Sequence, residues 1–467
     1  MFDADGGAIC VASRPVVLEH RPGGWVEQSV ESMLASVAEV IGEVNERSGD
    51  GRPALLALTG QGDGCWLVDA RGRPVRRAVS WMDGRAASVL SRWQQDGTAD
   101  TVFRTNGNAL FPGASCCILT WLEQHEPETL GRAAFALSCK DVVFLALTGQ
   151  VATDPSEASR PFGDPLEGGY SADLLELLGL HERRSLLPPV HRPLPSGDVS
   201  PEGAAWSGLP TGLPVTSGPF DLAACVAGAG ITRPGDGLLV IGTTLACEVL
   251  VESIDPSGVA AGMHLATAEP GRFVRSLPAM VGSASLDWLL AMLGTPLSEL
   301  DAAIEASAPG AAGVRVLPYL APSGERAPFV EPAARGQFSG LQLSTGRADL
   351  IRAMCEGIAF AARDCFEAAG LSGQLFVCGG GTRSPAWLQI FADVLGRPLH
   401  IARSPEVGAR GAVLSGLAAI GRAQDLAAWT GPEGKIEPRR GATEHYDDLF
   451  AEYRQIQAEA RGAWGRR

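Results

Sequence analysis

Ala54-Leu55-Leu56-Ala57-Leu58-Thr59-Gly60-Gln61-Gly62-Asp63-Gly64 reads as a buried strand followed by a loop too rich in glycine to continue any regular element. Ahead of it, Val30, Met33, Leu34, Val37, Ile41 and Val44 recur at helical spacing over 29–45, and Gly49 follows as a stop, so an amphipathic helix is expected there. The succession of strand and glycine loop comes twice more. Residues 238–241 precede Gly242, Thr243 and Thr244, and residues 375–378 precede Gly379, Gly380 and Gly381, after which Pro385 opens a helical stretch through Val394. Repeated strand, loop and helix units predict an α/β fold whose ligands sit at the strand ends.

A chain of 467 residues is long enough for two or three domains, and two large ones are expected. The Pro- and Gly-rich segment 186–214 reads as an internal connection, and a boundary between Asp221 and Gly237 divides the chain into 1–229 and 230–467. Hydrophobic residues make up 45% and charged residues 19%, with no apolar run approaching the roughly 18 residues that span a membrane. The start is not basic-then-apolar like a signal peptide, so a cytoplasmic location is expected. The net charge of -15 is spread along the chain, with no basic stripe to neutralise phosphates, which argues against nucleic acid as a partner. The ten cysteines show no CxxC or Cys/His spacing and read as reduced core residues. Trp66, Trp81, Trp121 and Trp288 sit among apolar neighbours and are expected in the core, with no part in the site.

Glycine after a strand lets backbone N–H groups approach phosphate oxygens, which makes Gly242, Thr243 and Thr244, and separately 379–381, candidate nucleotide loops. An ordinary tight turn accounts for so short a pattern as well. Asp221 closes the run Ser217-Gly218-Pro219-Phe220-Asp221 and is a candidate general base near the boundary; a helix N-cap is the alternative, because 222–226 looks helical. Spacing alone leaves both open.

The segment holding Gly336, Phe338, Gly340 and Leu341, then Asp349, Leu350, Ala353, Met354 and Glu356, resembles the second signature of the FGGY carbohydrate kinases, with only Cys355 departing from it. Other blocks resemble that family in its own order: Gly24 to Gln28; Gln61 to Gly64; Trp81, Asp83 and Arg85; Lys140-Asp141; Leu147 to Gly149; and Thr153-Asp154 with Ser156 and Ser159. They continue with Gly218 to Asp221, Gly242 to Thr244, Pro318 to Leu320, Gly324 to Arg326, the triple glycine, Ala392-Asp393 with Gly396, and Gly408-Ala409 with Gly411-Ala412. The likeness runs from about Met1 to Gly416. In the first family signature Gly113, Ser115 and Trp121 are present, and Ile118 stands at the lysine position. Met1-Phe2-Asp3-Ala4-Asp5-Gly6 resembles the turn that closes the family's second strand. The first strand of the N-terminal domain, its Asp-x-Gly-Thr turn and a phosphate-facing aspartate are therefore expected to be missing.

This resemblance implies two actin-like, ribonuclease-H-like domains with a cleft between them, sugar bound in the first and ATP mostly in the second. Asp221 would be the base that takes a proton from the attacking hydroxyl, with Mg²⁺ bridging phosphate oxygens. Backbone groups at Gly242, Thr243 and Thr244 would hold phosphate, with Gly380, Gly381 and Gly411 flanking the nucleotide. Gln61, Gly62 and Asp63, with Trp25 and Glu27 nearby, would line the sugar or polyol site; for Asp63 the alternative is a turn former. The resemblance singles out no metal-ligating side chain and leaves room for a homodimer. The Gln-Gly-Asp-Gly loop lacks the histidine of D-xylulose kinases and the arginine of glycerol kinases and looks closer to erythritol and L-xylulose kinases, which implies a four- or five-carbon polyol or ketose. Two alternatives stand beside this one: a non-catalytic sugar- or nucleotide-binding protein of the same fold, and an actin-like relative that hydrolyses ATP to drive closure.

Overall fold

The structure, a computed structural model, describes residues 1–49, 52–164, 168–403 and 406–464. Its largest element is a seven-stranded sheet in the order Met263–Ala266, Phe273–Ala279, Leu245–Val251, Gly237–Ile241, Leu375–Cys378, Leu399–Ile401 and Gly434–Ile436. The first four strands are antiparallel neighbours, while Gly237–Ile241, Leu375–Cys378 and Leu399–Ile401 run parallel. Leu375–Cys378 is buried along its whole length, as expected of an apolar run covered on both faces. Alternation divides the neighbouring strand between two cores. Leu239 and Ile241 join Ile351, Met354 and Ile358 of the Arg347–Ala369 helix, whereas Leu238 faces Ala223 and Val226 of the Asp221–Gly228 helix.

The first half is more divided. Leu56–Leu58 pairs in parallel with Pro214–Ser217, which also pairs antiparallel with Ser196–Asp198. Separate small sheets join Glu19–Arg21, Trp25–Gln28 and Ala78–Val79, and Trp66–Val68 with Phe135–Leu137. Among the described residues no strand pairs with the other edge of Leu56–Leu58, and Phe2 and Ala8 meet only in an isolated bridge. The expected helix forms as Val30–Arg47, capped where the Ser29 hydroxyl accepts the Ser32 amide at 3.1 Å. The 186–214 segment is more ordered than a connection. It carries the Ser196–Asp198 strand and the Pro201–Ser207 helix, started by a Ser200 cap and a proline at the first helical position.

The Asp221–Gly228 helix follows the Pro214–Ser217 strand after three residues, and the Val407–Ala419 helix crosses it at close range. These two helices lie at the junction of the two halves and hold the site described below. No described helix is long and apolar enough to cross a membrane. All ten cysteines are unpaired, and eight of them are buried, in keeping with a packing role.

Candidate active site

Leu56–Leu58 and Pro214–Ser217 end side by side, and their loops are stitched together. Gly218 N–H donates to Leu58 O at 2.8 Å, Thr59 Oγ1 to Pro219 O at 2.7 Å, and Asp221 N–H to Gly60 O at 3.1 Å. The base candidate is thus fixed to the loop proposed for the sugar. Phe220 holds the N-cap position and Asp221 the first helical position, where its Oδ1 accepts the Leu222 amide at 2.7 Å. Burial pushes the Asp221 carboxyl up to about 6, opposed by that amide and by Arg160. A half-buried carboxylate of that basicity can accept a proton near neutral pH.

Gly62 is wedged. A Cβ there would fall 1.7 Å from the Phe220 ring and 2.9 Å from Glu157 Oε2, so only glycine permits this approach. Asp63, at φ 55°, lies in the left-handed region that Asp adopts more readily than most residues, and its Oδ2 is 2.5 Å from Arg160 Nη2. The turn-forming and ion-pairing roles fall to the same side chain. The Arg160 guanidinium in turn lies 4.9 Å over the Phe220 ring. Gln61 Oε1 accepts the Trp81 indole N–H at 3.2 Å. Two expectations for the tryptophans are therefore corrected. Trp81 is half-buried beside Gln61, and Trp288 is 45% exposed on its helix, because apolar neighbours in sequence do not fix which face of an element a side chain takes.

Behind this loop lies a buried charge cluster. Lys140 Nζ is 2.7 Å from both Asp141 Oδ1 and Asp154 Oδ2. Thr153 and Ser138 donate to Asp141 Oδ2 at 2.6 and 2.8 Å, and Ser217 donates to Oδ1 at 2.9 Å. Burial alone would lower the pKa of Lys140, but the two aspartates raise it. Beside them the Glu157 carboxyl is pushed above the usual carboxyl range by burial, opposed by Lys140. Asp63, Asp141, Glu157, Arg160, Phe162 and Tyr170 line a cavity of about 60 Å³. A larger cavity, about 280 Å³, opens between Asn106, Ser159 and 264–273, and no predicted site residue lines it.

In the second half, Gly242 N–H closes its turn on Thr244 O at 3.2 Å, and Ser283 and Ala284, at the start of the Ser283–Leu293 helix, donate to Gly242 O and Thr243 O. Gly381 abuts Ile241, with a virtual Cβ 2.2 Å from Ile241 Cγ2, so the two glycine loops are neighbours; Gly380 is exposed beside them. Gly411 is not in that group. It is buried inside the Val407–Ala419 helix, where a Cβ would fall 1.8 Å from Ala224 O and 2.7 Å from Gly228 N. Glycine is needed there for the helix crossing.

Glu27 and Trp25, expected near the sugar loop, are engaged with other side chains. The Glu27 carboxylate is buried in ion pairs with Arg76, Arg85 and Arg21, which leaves it little freedom to bind sugar. Trp25 packs edge-on against Trp121, with Arg85 4.2 Å over its ring. Both belong to a packed ionic and aromatic cluster. Conversely, no site role had been expected for Arg160, Glu157 or Trp81. A sequence signal existed for the first two: Glu157 lies within, and Arg160 directly after, the block of Thr153, Asp154, Ser156 and Ser159.

Models of the FGGY family of carbohydrate kinases match residues 1–228 as the N-terminal domain and 238–420 as the C-terminal domain. The erythritol kinase of Brucella abortus is 35% identical over 446 residues, covering 88% of this chain and 84% of that protein. The crystal structure of xylulose kinase from Rhodospirillum rubrum is 31% identical, with a TM-score of 0.84 over 97% of this chain and 94% of that one. That of the ligand-bound xylulose kinase from Lactobacillus acidophilus, 22% identical, shares the fold with a TM-score of 0.92, covering 100% of this chain and 96% of that one.

Proposed function

The chain belongs to the FGGY family of carbohydrate kinases, and on that premise we propose that it transfers the γ-phosphoryl group of ATP to a hydroxyl of a four- or five-carbon sugar alcohol or ketose. The observation that carries this reading is Asp221, half-buried and tied through its amide to the loop of Gln61, Gly62 and Asp63. The names of the similar erythritol and xylulose kinases support the substrate class. Residues 1–229 hold the acceptor and 230–467 the nucleotide.

Gln61, Asp63 and Arg160 orient the acceptor's hydroxyls, and Asp221 takes the proton of the attacking one as its oxygen bonds to phosphorus and the bond to the ADP oxygen breaks. Backbone groups at Gly242, Thr243 and Thr244, with Gly380 and Gly381, lie where phosphate oxygens can be held. Among the described residues no group of three or more His, Cys, Asp or Glu could hold a metal ion. Mg²⁺ carried on the phosphates would supply charge neutralisation. Such work belongs in the cytoplasm.

The test is ATP-dependent phosphorylation over a panel of tetritols, pentitols and ketopentoses as pH is varied. Turnover should be present above about 6 and fall as Asp221 is protonated below it. A second reading, a chain of this fold that binds these ligands without turnover, is favoured by the half-burial of Leu56–Leu58, next to the sugar loop, whose outer edge has no partner strand among the described residues. Binding of the panel sugars without phosphorylation selects it.

A further inference from the structure

Arg326 belongs to the second half of the chain, yet its guanidinium lies against the first. Its Cζ is 5.1 Å from the Trp81 ring centroid and 5.6 Å from that of Phe111. The backbone beneath it is pinned, because the buried Glu325 carboxylate accepts the amides of Met280 at 2.7 Å, Arg326 at 2.8 Å and Ala327 at 3.3 Å. The side chain has one anchor, Nε–H to Pro278 O at 2.9 Å.

Charge is the unusual feature. Glu325, Asp63 and Arg160 all act on Arg326 through space, but the Glu325 carboxylate is committed to three backbone amides and Asp63 already pairs with Arg160. Among the described residues neither Nη group of Arg326 has a hydrogen-bond or ion-pair partner. Burial draws the group below the usual arginine range, the mark of a cation incompletely compensated by its surroundings. A desolvated, unpaired charge is costly to keep. Here it faces Trp81, whose indole N–H holds Gln61 of the sugar loop.

We propose that Arg326 is an acceptor-binding residue whose free guanidinium edge donates to a carbonyl or carboxylate oxygen of the substrate, so that the acceptor bridges the two halves. A guanidinium fork matches the in-plane lone pairs of such an sp² oxygen better than it matches a hydroxyl. The site therefore favours a ketose or a sugar acid over the polyol of equal length. This rests on the functional reading above.

The test compares wild type, Arg326→Gln and Arg326→Lys on a polyol, a ketose and an aldonate of the same carbon number, by steady-state kinetics and by calorimetry of acceptor binding without ATP. Arg326→Gln should weaken binding of the sp²-oxygen acceptors on the order of ten- to a hundredfold, the polyol less, and ATP hardly at all. Arg326→Lys should restore part of the loss, because it keeps the charge and loses the fork; it also carries the test should the glutamine variant not fold. Unchanged acceptor affinity in Arg326→Gln, or equal losses for acceptor and ATP, overturns the proposal. A wild-type chain that phosphorylates its acceptor while Arg326→Gln keeps the same KM sinks only this role. A wild-type chain that phosphorylates nothing on the panel sinks the functional reading and this inference with it.

Discussion

In the second half of the molecule, Gly237–Ile241 and Leu375–Cys378 lie side by side within a seven-stranded sheet, and every residue on them but Val240 is buried. In the first half, the corresponding parallel pair has Leu56–Leu58 at a sheet edge, with all three residues only half-buried. Both pairs end in glycine loops, but what gathers around the loops differs. The second half presents mainly backbone at Gly242–Thr244 and Gly380–Gly381, which suits phosphate oxygens of any orientation. The first half brings charged and polar side chains to the loop: Asp63 with Arg160, and Lys140 with Asp141 and Asp154 behind them. Buried ion pairs are weak sources of net stability, and on the proposed function they would act as fixed donors and acceptors for a ligand with several hydroxyls. On that reading the apolar sheet is the scaffold and the polar half carries the discrimination.

That contrast can be broken at several points. The largest expected effect is on Asp221, which joins the halves. Asp221→Asn should lower kcat by roughly a hundredfold to ten-thousandfold while acceptor binding by calorimetry stays near wild type, because the amide cannot take the hydroxyl proton. Near-normal turnover removes Asp221 from its role. Next, Lys140→Met leaves Asp141 and Asp154 buried without their cation. It should cost about 3 to 5 kcal/mol in urea unfolding, and a midpoint unchanged from wild type would show that the polar interior of the first half is not held by charge pairing.

Gly411→Ala sharpens the comparison from the other side. If its glycine serves the helix crossing, the added methyl should destabilise the fold by about 1 to 3 kcal/mol and leave the KM for ATP unchanged. A selective rise in that KM would return Gly411 to the nucleotide loops. The smallest effect is on Asp63→Asn, which keeps the side chain's size and an acceptor for Arg160 but removes its charge. The acceptor KM should rise by a few-fold, the equivalent of about 0.5 to 1.5 kcal/mol for one hydrogen bond, with ATP unaffected. Equal shifts for both ligands would assign Asp63 to its turn alone.

The sequence by itself carried the strand-and-glycine-loop units, the helix over Val30–Arg47 and the α/β class, which are readable because side-chain periodicity and glycine's backbone freedom act over a few residues. Asp221 and the Gln61–Asp63 loop were singled out by the ordered blocks that resemble the family, since spacing alone left their roles open. Only the tertiary structure decided that Arg160 closes on Asp63, that Glu27 is consumed by three arginines, that Trp81 leans on Gln61 while Trp288 faces outward, and that Gly411 packs on Ala224. Each of these depends on which distant segments meet. Desolvation then makes a charge seek whatever partner the fold brings within reach, and close packing makes a glycine necessary wherever two backbones happen to cross.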